Sequence, residues 1–157
     1  MKLLTAKATG TEFYQVQATL NSNNTVDTLT EVLKEIAQPM WSFKLMQKGE
    51  HYSKTHFDII LKSCELTNFI KRVRFFRELT STFFRPEKGN ITLKCPMPKG
   101  TYVMKNLFIP PESSFMRFFF VPNTILTLRG GISEMKSNRK MEKLSTYEFN
   151  GTILRTC

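Results

Sequence analysis

Two cysteines and two prolines constrain this chain more than any other feature. Cys95 ends a short apolar run, and Pro96 and Pro98 then interrupt the chain before Gly100 turns it into a new strand-like run. Cys64 lies upstream, so a bond between the two thiols would close a loop of about 30 residues and contribute about 3–4 kcal/mol through the unfolded state. Two separate buried thiols would fit the same spacing, and the residues alone leave both interpretations open.

The segment between these cysteines carries the one convincing helical pattern in the sequence, over about residues 66–84. Apolar residues recur there every three or four positions, and Lys and Arg occupy much of the remaining surface. Pro86 and Gly89 end the pattern. An apolar stripe of this kind is usual for a helix packed on a core, although a helix that binds a membrane surface has the same periodicity. The residues therefore predict one amphipathic helix with a basic outer face.

Most of the remaining chain alternates between apolar and polar residues, which is typical of half-buried β-strands. Residues 11–20 predict a strand, and residues 40–61 predict a hairpin that turns at residues 48–50. Residues 25–37 fit an amphipathic helix by spacing and propensity, and they also fit an edge strand with a bulge. The residues leave these two interpretations open.

Further strands are expected after the helix, with a bulge at Gly130 and Gly131. They cover residues 91–93, 102–109, 124–133 and 144–155. We therefore predict one mainly β domain over residues 1–157, an immunoglobulin-like β-sandwich of seven to nine strands with one inserted amphipathic helix. Residues 1–10 are expected to be disordered or the remnant of a signal region.

The net charge of +10 is unevenly distributed along the chain. Residues 62–140 carry fifteen Lys and Arg against five Asp and Glu, whereas the two flanking regions are balanced. Such a field favours anionic partners, namely nucleic acids, lipid headgroups or acidic proteins, and it is equally compatible with a solvated face that confers solubility. Nucleic-acid binding is the weakest of these hypotheses, because the aromatic residues among the cations at residues 71–77 share the apolar stripe of the predicted helix.

The sequence lacks the patterns of the common catalytic and metal sites. His51 and His56 are the only histidines, and together with the cysteines they form no zinc-type spacing. The chain also lacks a G-x-S-x-G elbow, a phosphate-binding glycine loop and a calcium-binding loop. We therefore expect a protein without enzymatic activity, metal or cofactor. No run of 18 apolar residues occurs, so no transmembrane segment is expected.

Three N-x-S/T sequences provide candidate glycosylation sites, at Asn23, Asn90 and Asn150. Such sequences often arise by chance, so they indicate secretion only weakly. Cys157 is a third cysteine and leaves the total number odd.

The order of features across about residues 25–135 resembles a known family. The predicted hairpin leads into Cys64, the amphipathic helix follows, and residues 89–102 then read G-N-I-T-L-K-C-P-M-P-K-G-T-Y. The chain continues from there to Pro110 and Pro111. This arrangement resembles the arthropod proteins of the DUF1091 type, which are similar to the MD-2-related lipid-recognition group.

The resemblance implies a secreted β-sandwich that is open at one end and holds a hydrophobic ligand between its sheets. It implies a bond between Cys64 and Cys95, and it favours a strand over a helix for residues 25–36. Some relatives are tied to insect chemosensation and contact pheromones. The implied function is therefore that of a secreted, non-enzymatic binding protein for a lipid or other hydrophobic small molecule. From the charge distribution, we expect the basic surface of residues 62–140 to hold a lipid headgroup or an acidic receptor.

The main alternative to ligand binding is a protein-interaction module with a filled core, which would use the basic face of residues 62–140. A ligand cavity needs a lining of aromatic and aliphatic side chains, and a densely packed core would use the same residues. The candidate ligand-binding residues are Trp41, Phe43, Phe57, Ile59, Phe69, Phe76, Phe118, Phe120 and Leu126.

Overall fold

Nine strands and one helix form the part of the chain that the computed structural model describes, residues 1–73, 77, 89–109, 113 and 117–154. The first five strands are β1 (Lys2–Gly10), β2 (Tyr14–Leu20), β3 (Val26–Val32), β4 (Pro39–Lys48) and β5 (Ser53–Lys62). The helix α1 (Ser63–Arg72) follows them. The last four strands are β6 (Gly100–Leu107), β7 (Ile125–Met135), β8 (Met141–Lys143) and β9 (Ser145–Thr152).

These strands form two antiparallel sheets that pack face to face. The larger sheet has the order β1-β9-β7-β4-β5, and β8 also pairs with β7. The smaller sheet has the order β2-β3-β6. Tyr14 and Val32 from the smaller sheet share one buried cluster with Trp41 and Ile132 from the larger sheet. The predicted class, a mainly β sandwich with one helix, is confirmed for the described residues.

β3 is the central strand of the smaller sheet. It pairs with β2 on one side and with β6 on the other, so two ladders of backbone hydrogen bonds override the helix propensity of its residues. Val26, Thr30 and Val32 are buried and Glu31 is exposed, which is the alternation of a strand. The expected strand is therefore confirmed, but its expected position at a sheet edge is wrong. The ladder with β6 does contain a register shift of the kind a bulge produces.

α1 begins earlier than predicted because several contacts hold its first turn against the sandwich. Trp41 Nε1 donates a hydrogen bond of 3.2 Å to the buried Ser63 Oγ, and Leu66 is 2% exposed. Cys64 forms a disulfide with Cys95, across a Cα–Cα distance of 5.5 Å. The expected disulfide is thus confirmed. Most of the predicted helix beyond α1 lies outside the described residues.

Residues 1–10 were expected to be disordered or a signal remnant, and Lys2–Gly10 form the ordered strand β1. The origin of the segment as a signal remnant stays a prediction. β1 pairs with β9 along its whole length and lies at one edge of the larger sheet. Leu3, Ala6 and Ala8 are half-buried, whereas Lys7 between the two alanines is exposed. The small side chains of the alanines make this alternation too weak to predict a strand from sequence.

Residues 91–93 form no strand, although their apolar pattern predicts one. The side chain of Asn90 bonds to the β6 backbone instead. Its Oδ1 accepts a hydrogen bond of 2.7 Å from the Val103 amide, and its Nδ2 donates one of 2.9 Å to the Thr101 carbonyl. One amide side chain therefore satisfies backbone groups of the strand edge that a neighbouring strand would otherwise pair.

Gly130 and Gly131 do not form the expected bulge against β4, because β4 and β7 stay in continuous register along the whole of β4. Gly130 instead makes room for Tyr147, whose hydroxyl donates a hydrogen bond of 3.1 Å to the Ser42 carbonyl. A Cβ atom at Gly130 would lie 2.2 Å from that carbonyl oxygen and 2.5 Å from the tyrosine oxygen. The glycine is therefore required by close approach of the neighbouring strands.

Two clusters of buried side chains occupy opposite ends of the sandwich. The cavity-end cluster is centred on Leu45 and Leu126. The disulfide-end cluster lies against α1 and also contains Met97, which is 1% exposed. The buried members of the disulfide-end cluster are Tyr14, Val32, Ile36, Trp41, Leu66, Met97, Tyr102, Ile132 and Leu144.

We expect the loss of the disulfide to lower the free energy of unfolding by about 3–4 kcal/mol, because the bond closes a loop with a sequence separation of 31. Chemical denaturation of the Cys64→Ser/Cys95→Ser double variant and of the wild type provides the measurement. Cys157→Ser leaves this bond intact, so that control should unfold at the wild-type midpoint. An unchanged midpoint in the double variant would contradict the expectation.

Candidate hydrophobic ligand site

An apolar cavity of about 120 Å³ lies between the two sheets, at the end of the sandwich opposite the disulfide. Along β4, Leu45 lines this cavity, whereas Trp41 near the start of the strand packs in the disulfide-end cluster. Along β7, Leu126 lines the cavity and Ile132 packs at the other end. The described lining residues are Met1, Leu3, Val26, Leu45, Phe57, Leu107, Phe108, Ile109, Leu126, Leu128 and Phe149.

Strand alternation places these side chains in the cavity. Leu126 and Leu128 are two positions apart on β7, so both point from the larger sheet toward the smaller one. Val26 and Leu107, which are register partners in β3 and β6, face them from the smaller sheet. Phe108 is 37% exposed and lies where the cavity meets solvent. Eight of the eleven described lining residues thus lie on hydrogen-bonded strands, and all eleven side chains are apolar.

The predicted ligand residues divide between the two ends of the sandwich. Phe57 and Leu126 line the cavity. Trp41, Phe43 and Phe69 pack in or against the disulfide-end cluster instead, where the first two rings are stacked with centroids 6.0 Å apart. These three residues belong to the part of the core that α1 closes.

The other predicted ligand residues lie away from the cavity or beyond the described part of the chain. Phe118 is 82% exposed. Ile59 and Phe120 are half-buried, and neither is among the described lining residues. Phe76 lies outside the described residues. Ligand binding by all nine residues stays a prediction, and the geometry favours two of them.

Sequence reasoning missed most of the residues that line the cavity. Leu128 and Phe149 lie on strands that the alternating pattern did predict, so their inward orientation was available from the sequence. The sequence did not indicate at which end of the sandwich these residues lie, because that depends on the register of their strands with strands distant in the chain. Leu3 was missed because residues 1–10 were expected to be disordered.

A buried polar network lies beside the cavity-end cluster. Gln47 is 1% exposed, and its Nε2 donates to the Phe119 carbonyl at 2.9 Å and to Thr124 Oγ1 at 2.7 Å. Its Oε1 then accepts a hydrogen bond of 2.8 Å from His56 Nε2. The Phe119 ring packs against the cavity-end cluster. The network therefore ties the segment before β7 to the β4–β5 hairpin and holds that segment over this end of the sandwich.

The environment of His56 favours its neutral form. Burial lowers the pKa of the imidazole from its ordinary value of 6.5, and the nearby charge of Lys54 lowers it further. The ring also meets the Phe119 ring edge-on, with centroids 4.5 Å apart. Protonation would place a second charge close to Lys54 and beside this aromatic ring.

A row of five charged residues crosses the outer face of the larger sheet, one from each of five adjacent strands. These residues line a groove of about 560 Å³. In strand order they are Lys7, Glu148, Arg129, Lys44 and Asp58. Arg129 Nε donates to Glu148 at 2.5 Å, and Lys44 Nζ donates to Asp58 at 2.7 Å. Hydrogen bonds from Asn150 and Arg129 lower the pKa of Glu148. Because four of these five residues form two ion pairs, the groove has the character of a solvated sheet face.

The basic excess of residues 62–140 is spread over several faces of the described structure. Lys71 and Arg72 lie in the last turn of α1, Lys105 lies on β6 and Arg129 lies on β7. Lys136 is held by ion pairs to Glu134 and Glu142 in the turn that follows β7. The described cations therefore do not form the single basic face that the interaction-module hypothesis requires.

The candidate glycosylation sites differ in accessibility. Asn23 is exposed in the turn between β2 and β3. Asn90 uses its amide to bond β6, and Asn150 uses its Nδ2 to bond Thr5 and Glu148. A glycan at either of the last two would disrupt these contacts. Glycosylation at all three stays a prediction, and Asn23 is the position that the geometry favours.

The described residues form no helix with the length and hydrophobicity that a membrane span requires. They also contain no group of three or more His, Cys, Asp and Glu side chains that could hold a metal ion.

A comparison with protein families assigns the chain. The family described as "Protein of unknown function (DUF1091)" matches residues 41–125, which is more than half of the chain. The chain belongs to the DUF1091 family. The matched region spans β4, β5, α1 and β6, and it therefore includes both disulfide cysteines and part of the cavity wall. No curated protein and no solved structure matches the chain.

We expect the stability of this DUF1091 protein, relative to its His56→Gln variant, to depend on pH. The folded state lowers the pKa of His56, so folding favours the neutral ring. The wild type should therefore lose stability relative to the variant as the pH falls from above 6.5 through the lowered pKa. Thermal unfolding of both proteins between about pH 7.5 and about pH 5 measures the difference.

His51→Gln is the matched control for this experiment, because the His51 side chain is 91% exposed. Its stability relative to the wild type should change much less over the same range. If the difference in stability between the wild type and His56→Gln stays constant with pH, the assignment of a lowered pKa to His56 is contradicted.

Proposed function

We propose that this DUF1091 protein is a non-enzymatic binding protein for a lipid or other hydrophobic small molecule. The observation that carries the proposal is the cavity between the sheets, whose described lining consists of apolar side chains alone. Pockets for small molecules are concave, mostly apolar and largely preformed, and a cavity lined by residues from seven strands fits that description. An apolar group that enters this cavity leaves water without displacing any hydrogen bond of its described walls.

The volume of the cavity limits how much of the ligand it can enclose. A dry apolar cavity of about 150 Å³ takes a molecule the size of benzene, whereas pockets that enclose a whole drug-sized ligand span about 300–1,000 Å³. At about 120 Å³, this cavity fits the end of an acyl chain or a small ring. The rest of a longer ligand would extend past Phe108 toward solvent.

The lining also sets the orientation of the ligand. Burial of an unpaired charge is strongly unfavourable, and the described walls offer no side chain that could pair with one. An ionised headgroup would therefore stay outside the cavity. The expected ligand is an amphipathic molecule with its apolar end between the sheets.

Secretion is part of the proposal. The Cys64–Cys95 disulfide supports it, because structural disulfides form and persist mainly in oxidising compartments. The similarity to the MD-2-related lipid-recognition group, the arthropod origin and a role in chemosensation rest on the resemblance of the sequence motifs. We propose them together with the secreted location as the biological setting of the binding activity.

We expect Leu128→Trp to weaken binding of cis-parinaric acid, a fatty acid that fluoresces in apolar surroundings, by tenfold or more. Leu128 is half-buried and lines the cavity, so the larger indole would occupy the volume available to the acyl chain. A tenfold change corresponds to about 1.4 kcal/mol of binding free energy. Fluorescence titration of the purified full chain gives the two dissociation constants.

Leu61→Trp is the matched control. Leu61 is also half-buried, but it packs against the disulfide-end cluster, so the same substitution leaves the cavity unchanged. Thermal unfolding of both variants confirms that each is folded. Absence of fatty-acid binding by the wild type, or equal weakening by both substitutions, would reject the cavity as the binding site.

A further inference from the structure

Large apolar side chains are exposed around the cavity end of the sandwich. Phe118 is 82% exposed, Leu154 is 63% exposed and Ile125 is 46% exposed. Each is adjacent in sequence to an inward residue of the cavity-end cluster, respectively Phe119, Ile153 and Leu126. The three exposed residues therefore lie at the same end of the molecule as the cavity. We call Phe118, Ile125 and Leu154 the apolar rim.

The apolar rim differs from the charged row that crosses the middle of the larger sheet, although the sheet also exposes Ile60, which is 52% exposed on β5. The row of outward residues in the middle of that sheet consists of Lys7, Glu148, Arg129, Lys44 and Asp58, as expected for a face in contact with water. At the cavity end, Ile125 occupies an outward position of β7 and is nearly half exposed. Large apolar side chains that are exposed at one end of a molecule favour contact with another apolar phase at that end.

Basic side chains accompany the apolar rim. Lys48 is the register partner of Ile125 across β4 and β7, and Arg117 directly precedes Phe118. Both cations are exposed, and neither forms an ion pair within the described part of the chain. The middle of the larger sheet contrasts with this, because there Lys44 and Arg129 are each paired with a carboxylate.

We propose that the cavity end of the sandwich docks on the surface of an anionic lipid bilayer. The apolar rim would enter the boundary between headgroups and acyl chains, and Lys48 and Arg117 would contact anionic headgroups. Exposed aromatic and aliphatic side chains together with unpaired cations are the combination that binds such an interface. The inference rests on the proposed function in one respect: docking would place the mouth of the lipid cavity against the membrane from which a lipid is taken or to which it is delivered.

A bilayer fits this surface better than a folded protein partner does. The three residues of the apolar rim come from separate parts of the chain. Phe118 lies in the segment before β7, Ile125 is the first residue of β7, and Leu154 follows β9. A fluid interface can accept separate side chains that protrude, whereas a protein interface requires a continuous complementary surface. The charge of Lys48 and Arg117, which form no ion pair with another described residue, is complementary to anionic lipid.

The test is flotation of the purified full chain with vesicles, without any added fatty acid. Vesicles of phosphatidylcholine with about 30% phosphatidylserine should bind the wild type, and binding should fall in about 0.5 M salt, which screens exposed charges. Pure phosphatidylcholine vesicles should bind it less. We expect Phe118→Ser to lower the partition coefficient about tenfold, and Lys48→Gln to lower it about fivefold.

Two control variants replace an exposed apolar residue by Ser and an exposed lysine by Gln at the opposite end of the molecule. Leu33 is 52% exposed just after β3, and Lys140 is exposed in the turn after β7. Leu33→Ser and Lys140→Gln should bind vesicles as the wild type does. Equal weakening by these controls, or full binding by Phe118→Ser and Lys48→Gln, would overturn the proposed orientation.

Self-association is the other outcome that the experiment distinguishes. If sedimentation shows a dimer that Phe118→Ser dissociates, and the wild type does not bind vesicles, the apolar rim is an interface between copies of this chain and the docking proposal is overturned. Fatty-acid binding without vesicle binding would overturn docking alone. Vesicle binding that depends on the apolar rim supports docking even when the cavity takes up no fatty acid, in which case only the proposed function fails.

Discussion

β4 is the strand on which the rest of the sandwich depends. It is hydrogen-bonded on both edges, to β5 and to β7, and its register with β7 runs without a shift along the whole strand. Alternation along β4 turns Trp41, Leu45 and Gln47 to the inner face of the sheet. Trp41, near the start of the strand, packs in the disulfide-end cluster, Leu45 packs in the cavity-end cluster, and Gln47 bonds the segment before β7. A slip of one residue would turn all three side chains to the opposite face. Both clusters and the polar network are therefore fixed by one pairing.

The two ends of the sandwich are closed by interactions of different strength. At one end, a disulfide fixes α1, and Ile36 and Met97 exchange two backbone hydrogen bonds of 2.9 and 3.0 Å. At the other end, the Gln47 side chain holds the Phe119 carbonyl. The disulfide is a covalent link, whereas each neutral hydrogen bond at the cavity end contributes about 1 kcal/mol net. Within the described residues, the unfilled volume therefore lies at the end of the sandwich that noncovalent contacts close.

Local pattern predicted the class of the fold and many strands, because alternation of apolar and polar residues is a property of each strand alone. It did not predict the assignment of Phe43 and Leu126 to different ends of the sandwich, because that depends on pairing between β4 and β7, far apart in the chain. β3 shows the same limit. Its residues favour a helix in isolation, and only its two neighbouring strands override that preference. Asn90 replaces a predicted strand with two side-chain hydrogen bonds, which no periodicity can reveal.

A small cavity is sufficient for the proposed carrier if the protein shares the ligand with a membrane. A volume of about 120 Å³ encloses only the end of an acyl chain, so the remainder of the chain needs another apolar environment. The exposed Phe118 and Ile125 supply part of that environment, and in the docked state the bilayer supplies the rest. The ligand's charged group would then lie at the level of Lys48 and Arg117, where it remains hydrated and paired. In this arrangement, the apolar lining would select a chain end, and the basic residues at the same end of the sandwich would select the charge that follows it.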